Sequence, residues 1–370
     1  MTKYEYLIEL AKKLEALNIN SDDIYPETRR LVGFYQEMIE DRMEEGIPEE
    51  EAVAGMEKVE DIVERVKREF ATPEIVVGPD APAEPEAPEA PEAPAEPGTT
   101  ARAEGKYTYM TKTYDPAEVR RVVIVDQNRS VNVVGGDCLK IDYVDGPDGH
   151  YEVSCEGGAL SVRFIADPWG GFRSIFGVRT WQTSPFTLTL PREYSGEVDA
   201  RTSNGSMSAA RTGANVLTLR TSNGKITAES VAARSARFTT TNGGIRLRDV
   251  AAHSVVAESS NAKIESEGVD GDEVILKTSN GANEARGVTA KRVKIETRNG
   301  HLSVESVAGD DISLSSSNGG ISGTIAGKLS DYAITSRTSN GKNNLPPVSE
   351  GKKALEVRTS NARIDIQFEK

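Results

Sequence analysis

The sequence predicts an all-β solenoid, a single-stranded β-helix of about 19 residues per coil, behind a small α-helical bundle on a Pro-rich linker. Three observations predict it. Asn204, Asn223, Asn242, Asn261, Asn280, Asn299 and Asn318 fall 19 residues apart, and Asn340 and Asn361 continue the series at gaps of 22 and 21. Each lies in the phrase Thr-Ser-Asn-Gly, as at 202–205, 221–224, 278–281 and 338–341, or in a close variant. On either side of each Asn, apolar residues alternate at the strand period of two.

The repeat is read with each Asn as origin. Six residues before it stand Val198, Leu217, Val255, Val274, Val293 and Ile312; four before, Leu219, Phe238, Leu276, Ile295 and Leu314. Three after come Met207, Ile226, Ile245, Ile264, Leu302 and Ile321, and eight after, Val231, Val250, Val269, Val288, Val307 and Val348. Each unit therefore reads as strand, Asn-Gly bend, strand, corner. The units lack the three-and-four spacing that a helix needs. One coil cannot bury its own apolar face, whereas stacked coils can. Eight steps from Asn204 to Asn361, at ~4.8 Å each, give a column of roughly 38 Å. The nine asparagines serve as a structural turn ladder. They read as bend residues that tolerate positive φ, with Gly after them for the same reason; a sharper reading adds an amide ladder, each side chain bonding to the copies above and below.

Charges keep the same register. Glu229, Arg248, Glu267, Arg286 and Glu305 alternate in sign six residues after successive asparagines. Glu273, Arg292 and Asp311 form a second row, Asp272, Lys291 and Asp310 a third, and Glu258, Lys277 and Glu296 a fourth. A slip by one coil would set like charge against like, so these rows read as register control.

The segments before the repeat differ in kind. In residues 1–70, Leu7, Leu10, Leu14 and Leu17 recur at helical spacing, as do Leu31, Phe34, Tyr35, Met38 and Ile39 after Pro26. Gly46 ends that helix. Pro48 with Glu49-Glu50-Glu51 starts another, whose apolar face runs from Val53 through Met56, Val59, Ile62, Val63 and Val66 to Phe70. Residues 71–106 read as an acidic, disordered Pro/Ala/Glu-rich linker. The solenoid domain then covers 107–370, with irregular capping coils over 107–197 and regular coils over 198–370. Within the caps, Asp167 to Gln182 holds both tryptophans, Trp169 and Trp181, with Phe172 and Phe176 among glycines. These four aromatics are the candidate partner-binding residues; the alternative is a lid over the solenoid end.

Composition excludes several classes. Residues 1–70 carry 10 basic and 19 acidic residues, and 71–100 carry seven acids and no base. The remainder has a net charge of +2, so no basic face awaits nucleic acid. No apolar run reaches membrane-spanning length and Met1-Thr2-Lys3-Tyr4-Glu5 is no leader, so a cytoplasmic location is expected, with the cell surface as the alternative. Cys138 and Cys155 are too few for a disulfide framework and read as free, buried thiols, with a pair across neighbouring strands as the alternative. His150, His253 and His301 lack metal-ligand spacing. No phosphate loop or nucleophile elbow occurs, so no catalytic, cofactor or metal site is expected and the chain reads as non-enzymatic. The expected partner is a protein or a second copy. A carbohydrate ligand has no residues that argue for it.

The stretch from Val119 to Phe368 resembles the bacterial putative-adhesin family of β-strand-repeat proteins. Val131-Asn132-Val133, Thr187-Leu188-Thr189-Leu190-Pro191 and the serial Thr-Ser-Asn-Gly coils carry the likeness. The resemblance implies a β-solenoid without an established activity. Residues 3–70 resemble a helical domain that accompanies bacterial membrane proteins and PadR-type regulators, on Phe34-Tyr35, Glu45-Gly46 and Glu49-Glu50-Glu51. Met56-Glu57-Lys58-Val59 stands where that family has a Gly-Asp/Ser-Pro break after its third helix. The pairing implies an intracellular, stress- or envelope-linked regulatory scaffold whose bundle binds a protein. An adhesin exported by a route not visible in the sequence is the alternative.

Overall fold

The computed structural model describes residues 2–15, 32, 35–36, 38–40, 42–43, 47–70, 98–104, 107–146, 149–166, 184–192 and 194–369. It divides into a helical unit and a β unit. The expected linker up to 97, and Trp169, Phe172, Phe176 and Trp181, lie outside the described residues.

In the helical unit, α1 is Lys3–Glu15, α2 Glu49–Ala54 and α3 Val59–Phe70. Between α1 and α2, the described residues from Val32 to Met43 are helical. Leu7, Leu10, Leu14, Tyr35, Ile39, Val53, Val59 and Ile62 bury one another in a core of their own. The single helix expected from Pro48 to Phe70 is two helices. Gly55 caps α2, its N–H bonding back to the Glu51 carbonyl at 3.0 Å, and α3 starts from the Lys58 carbonyl. Glycine within a helix costs about 1 kcal/mol, and turning there brings Val59 and Ile62 back over α1.

The β unit begins earlier than expected. Strand β1, Thr99–Glu104, pairs antiparallel with β2, Tyr107–Tyr114, so β structure occupies part of the stretch assigned to the linker. There follow β3 Arg121–Val125, β4 Val131–Gly136, β5 Leu139–Asp145, β6 Gly149–Glu156, β7 Ala159–Ala166, β8 Phe186–Pro191 and β9 Glu197–Thr202. The regular coils are β10 Met207–Thr221, β11 Ile226–Thr240, β12 Ile245–Ser259, β13 Ile264–Thr278 and β14 Asn283–Glu296. Then come β15 Leu302–Val307, β16 Asp311–Ser315, β17 Ile321–Ala326, β18 Tyr332–Thr338, β19 Lys353–Thr359 and β20 Ile364–Glu369.

Each regular coil has three parallel runs, not two. In β10 these are Met207–Ala210, Thr212–Ala214 and Val216–Thr221, each in register with β11. The expected corner is thus a short strand. It is entered through a left-handed residue: Arg211, Ser230, Asp249, Gly268, Gly287 and Ser306 have φ between 49° and 62° and fall seven residues after successive asparagines. Positive φ therefore belongs to this corner. No Asn or Gly of the regular bends has it, which corrects the expectation. Four of these six residues are not glycine and carry αL strain of about 1–2 kcal/mol. Ser230→Gly relieves the strain at an unfolded-state cost of about 0.5–1 kcal/mol. It is expected to raise stability by about 0.5 kcal/mol, measured as a shift of the urea midpoint; a loss of stability would show that Ser230 is not strained.

Coil order departs from sequence order at both ends. On the wall before the bends the strands run β6-β7-β3-β9-β10-β11-β12-β13-β14-β16-β19-β18. On the wall after the bends they run β1-β2-β5-β8-β4-β10, then through β14 to β15-β17-β20. The β3–β4 coil lies inside the later β7–β8 coil, and the last coil, β19–β20, lies inside β18. The caps are not merely irregular. The β3–β4 coil is fully in register with the repeat, while β1, β2, β5 and β6 close the end with antiparallel pairs. One core runs from Val119 to Ile366 along the column. Val348, expected to close a unit, is 73% exposed, because the chain after Asn340 leaves the coil to cover an edge.

Candidate interaction surfaces

The bend edge is an amide ladder. The Nδ2 of Asn204 donates to Oδ1 of Asn128 at 2.7 Å, and Asn223, Asn242, Asn261, Asn280, Asn299 and Asn318 each donate one rung back at 2.7–2.8 Å. Asn361 then donates to Asn318, and Asn340 to Asn361. The order of the last two rungs is therefore reversed from the expected one, and Asn361 is seven steps from Asn204, not eight. All nine bonds point the same way, so their dipoles add along the column.

Thr and Gly of the repeated phrase also have assigned work. The Thr221 hydroxyl accepts the Gly224 N–H and donates to the Gly205 carbonyl, both at 3.1 Å. Thr240, Thr278, Thr297 and Thr359 repeat the donation one coil back. Gly224 is selected by close approach: a Cβ there would sit 1.8 Å from the Gly205 oxygen. Ala262 and Ala362 hold the same position in two coils, so the bend can re-aim locally.

The first rung was hidden in the sequence. Asp126-Gln127-Asn128-Arg129 replaces Thr-Ser-Asn-Gly, and Asn128 lies 76 residues from its ladder partner. Yet Val122, Ile124, Val131 and Val133 stand at the repeat's own offsets and are fully buried. Asp126 takes the threonine's part. Its Oδ1 accepts the N–H groups of Gln127, Asn128 and Arg129 at 2.6–3.0 Å, and Tyr151 donates its hydroxyl to Oδ2. Burial first, and then Asp126, push the Tyr151 hydroxyl far above its ordinary value. The Arg129 guanidinium lies 4.3 Å from the Phe164 ring centre and 5.4 Å from that of Tyr151. This polar–aromatic cluster sits inside the capped end and offers no open site.

The far end is sealed by side chains. Asn344 donates to the Ile366 carbonyl at 2.7 Å and accepts its N–H at 3.0 Å, imitating one more strand on β20. Along β18, Pro346 and Pro347 supply carbonyls to Ser336, and Ser349 exchanges bonds with Ile334. Prolines cannot offer a further N–H to an incoming strand.

The outward walls are charge-compensated. Arg248 meets Glu267 at 3.3 Å and Arg286 meets Glu305 at 3.2 Å. Arg292 bridges Glu273 at 3.0 Å and Asp311 at 3.7 Å. Lys291 meets Asp272 at 2.7 Å, and with His253 it holds that carboxyl below its ordinary value. In the fourth row, Glu258 pairs with Arg237 and Glu296 with Lys294. Arg248→Glu with Arg286→Glu would line up five acids. The double variant is expected to melt lower at low salt, by a few tenths of a kcal/mol per contact, and to regain part of this at high salt. An unchanged low-salt melt would mean the rows are incidental.

Cys138 is half-buried and Cys155 exposed, and both are free, so the expectation of buried thiols is corrected. Among the described residues no three His, Cys, Asp or Glu are grouped to hold a metal, and no helix is long and apolar enough to cross a membrane.

The geometry defines a capped, parallel β-solenoid, and residues 120–367 match the Toastrack DUF4097 family. The chain belongs to that family; the match leaves residues 1–119 outside it. Among solved structures it is similar to a putative adhesin from Parabacteroides merdae ATCC 43184, 11% identical, over 71% of this chain and 97% of that chain, at a TM-score of 0.42. A putative lipid binding protein from Parabacteroides distasonis ATCC 8503 is 12% identical over the same shares, also at 0.42. A putative cell adhesion protein from Clostridium sporogenes ATCC 15579 is 10% identical over 71% of this chain and 100% of that chain, at 0.22. No curated protein matches the chain.

Proposed function

We propose that the protein is a non-enzymatic interaction scaffold. The helical unit binds a protein partner, and the solenoid supplies a rigid column for binding or self-association. One observation carries the partner role: Tyr4 and Ile8, one turn apart on α1, are 74% and 37% exposed while the other face of α1 fills the core. Large apolar side chains paired on one outer face of a helix favour a protein contact. The resemblance of residues 3–70 to domains that accompany PadR-type regulators supports the same reading. The column has a hydrogen-bonded backbone in every coil and self-compensated walls, which suits a spacer more than a reaction site. Trp169, Phe172, Phe176 and Trp181 are proposed as a second contact, because both tryptophans and two phenylalanines lie within 16 residues of each other among glycines, and such aromatic anchors suit an interface.

The test is cross-linking in the native host with the full chain and with Tyr4→Ser/Ile8→Ser. The expected result is a discrete cross-linked species that the double variant loses while keeping its circular dichroism. Equal cross-linking by the variant would remove this contact face. Cell fractionation run alongside separates an intracellular scaffold from an exported adhesin.

A further inference from the structure

The helical unit holds a groove of about 310 Å³ between α1 and the corner that joins α2 to α3. Its floor is Tyr6, Val53, Met56 and Val59. Tyr6, Val53 and Val59 are buried members of the core, so the floor is fixed by packing. The Tyr6 hydroxyl donates to the Glu57 carbonyl at 2.6 Å and ties the corner to α1. The rim is acidic: Glu9, Glu50 and Glu60 line it. Lys58 also lines it, and Lys13 bridges Glu9 and Glu60 from outside.

We propose that this groove receives a basic amphipathic helix of a partner protein, its apolar anchors on the floor and its Lys or Arg on the glutamate rim. The proposal rests on the reading that the helical unit binds a protein, and it names the partner's chemistry. Charge complementarity selects this occupant. Residues 1–70 hold 19 acids against 10 bases, so an acidic segment is repelled and a basic one is steered in. A helix laid in a groove presents anchors at i, i+3 or i+4, and i+7, with flanking positions free for cations. Its cations would take over the Lys13 contacts with Glu9 and Glu60. Those pairs are more than a third exposed and worth little, so the exchange costs little.

The test uses the full chain and a fluorescent peptide of Leu and Lys in amphipathic helical order, about four turns long. Controls are the same peptide with Glu for every Lys and one with the Leu and Lys order scrambled. The expected result is binding by anisotropy that weakens about tenfold or more for the scrambled peptide, for Glu50→Lys/Glu60→Lys and for Ala54→Trp, which fills the groove from an exposed position. Salt raised from about 50 to about 500 mM should weaken it as well. Circular dichroism of each variant guards against misfolding. Equal binding of the scrambled peptide, or full binding by both variants, overturns the proposal. So does a dimer that the groove variants dissociate in sedimentation, since the occupant is then a second copy. If the peptide fails while Tyr4→Ser/Ile8→Ser still abolishes cross-linking, the groove assignment falls and the helical unit's partner role stands. If no variant of the helical unit alters cross-linking, both fall.

Discussion

Phe238→Ala is expected to destabilise the β unit by about 3–5 kcal/mol. Phe238 is fully buried, four residues before its Asn, where the coils on either side carry Leu219 and Ala257. Its coil also holds Ala236 and Ala228, both fully buried. The large ring and the small neighbours fill one cross-section together, so truncation leaves a void lined by alanines that have no atoms to move into it. Phe238→Leu should cost less than half as much. Ala257→Leu, which overpacks the wild type, should recover part of the loss in the Phe238→Ala background. Urea unfolding followed by far-UV circular dichroism checks this. A loss below about 1 kcal/mol, or no recovery, would mean that the core is not shared between coils.

Asp126→Ala is expected to cost about 4 kcal/mol, because it strands two buried donors, the Arg129 N–H and the Tyr151 hydroxyl, at once. Asp126 is 3% exposed and serves three backbone N–H groups and the Tyr151 hydroxyl. Asp126→Thr restores the residue that the other bends use and should regain part of the loss, since a hydroxyl can accept an N–H but cannot serve all four donors. The difference should appear first as lost amide protection in β3 and β4, while β12 and β13 stay protected, as in a column whose coils contact only their neighbours. Uniform loss of protection would contradict that modularity.

The regular coils were legible because a 19-residue period leaves one way to stack them. Leu217, Ile226, Val255 and Ile295 fall on the inner face by counting alone. The ends were not legible, because stacking order there is set by which strand edges meet rather than by chain order. Asn128 carried the right apolar offsets, but its phrase lacks Thr and Gly and its neighbour is four coil-lengths away. The αL corner left no residue signature either: Arg211, Ser230, Asp249 and Ser306 share a conformation but no chemistry, since the stack imposes it. Asn344 acts as a strand end only because Ile366 lies beside it. The outer face of α1 was readable from helical spacing, whereas the groove at the α2–α3 corner required the break at Gly55 that the apolar pattern concealed.

The order of the coils is tested most directly by pulsed dipolar distances from a spin label at Ser203, with Cys138 and Cys155 changed to Ser. Second labels go at Thr241, Ser279, Ser317, Ser360 and Ser339, which share one register on the bend edge. At ~4.8 Å per coil the expected separations are ~10, ~19, ~29, ~34 and ~38 Å. Ser360 must therefore lie nearer to Ser203 than Ser339 does. A larger distance to Ser360 than to Ser339 would mean that the last coil does not insert beneath β18, and the interleaved, end-capped column would be wrong.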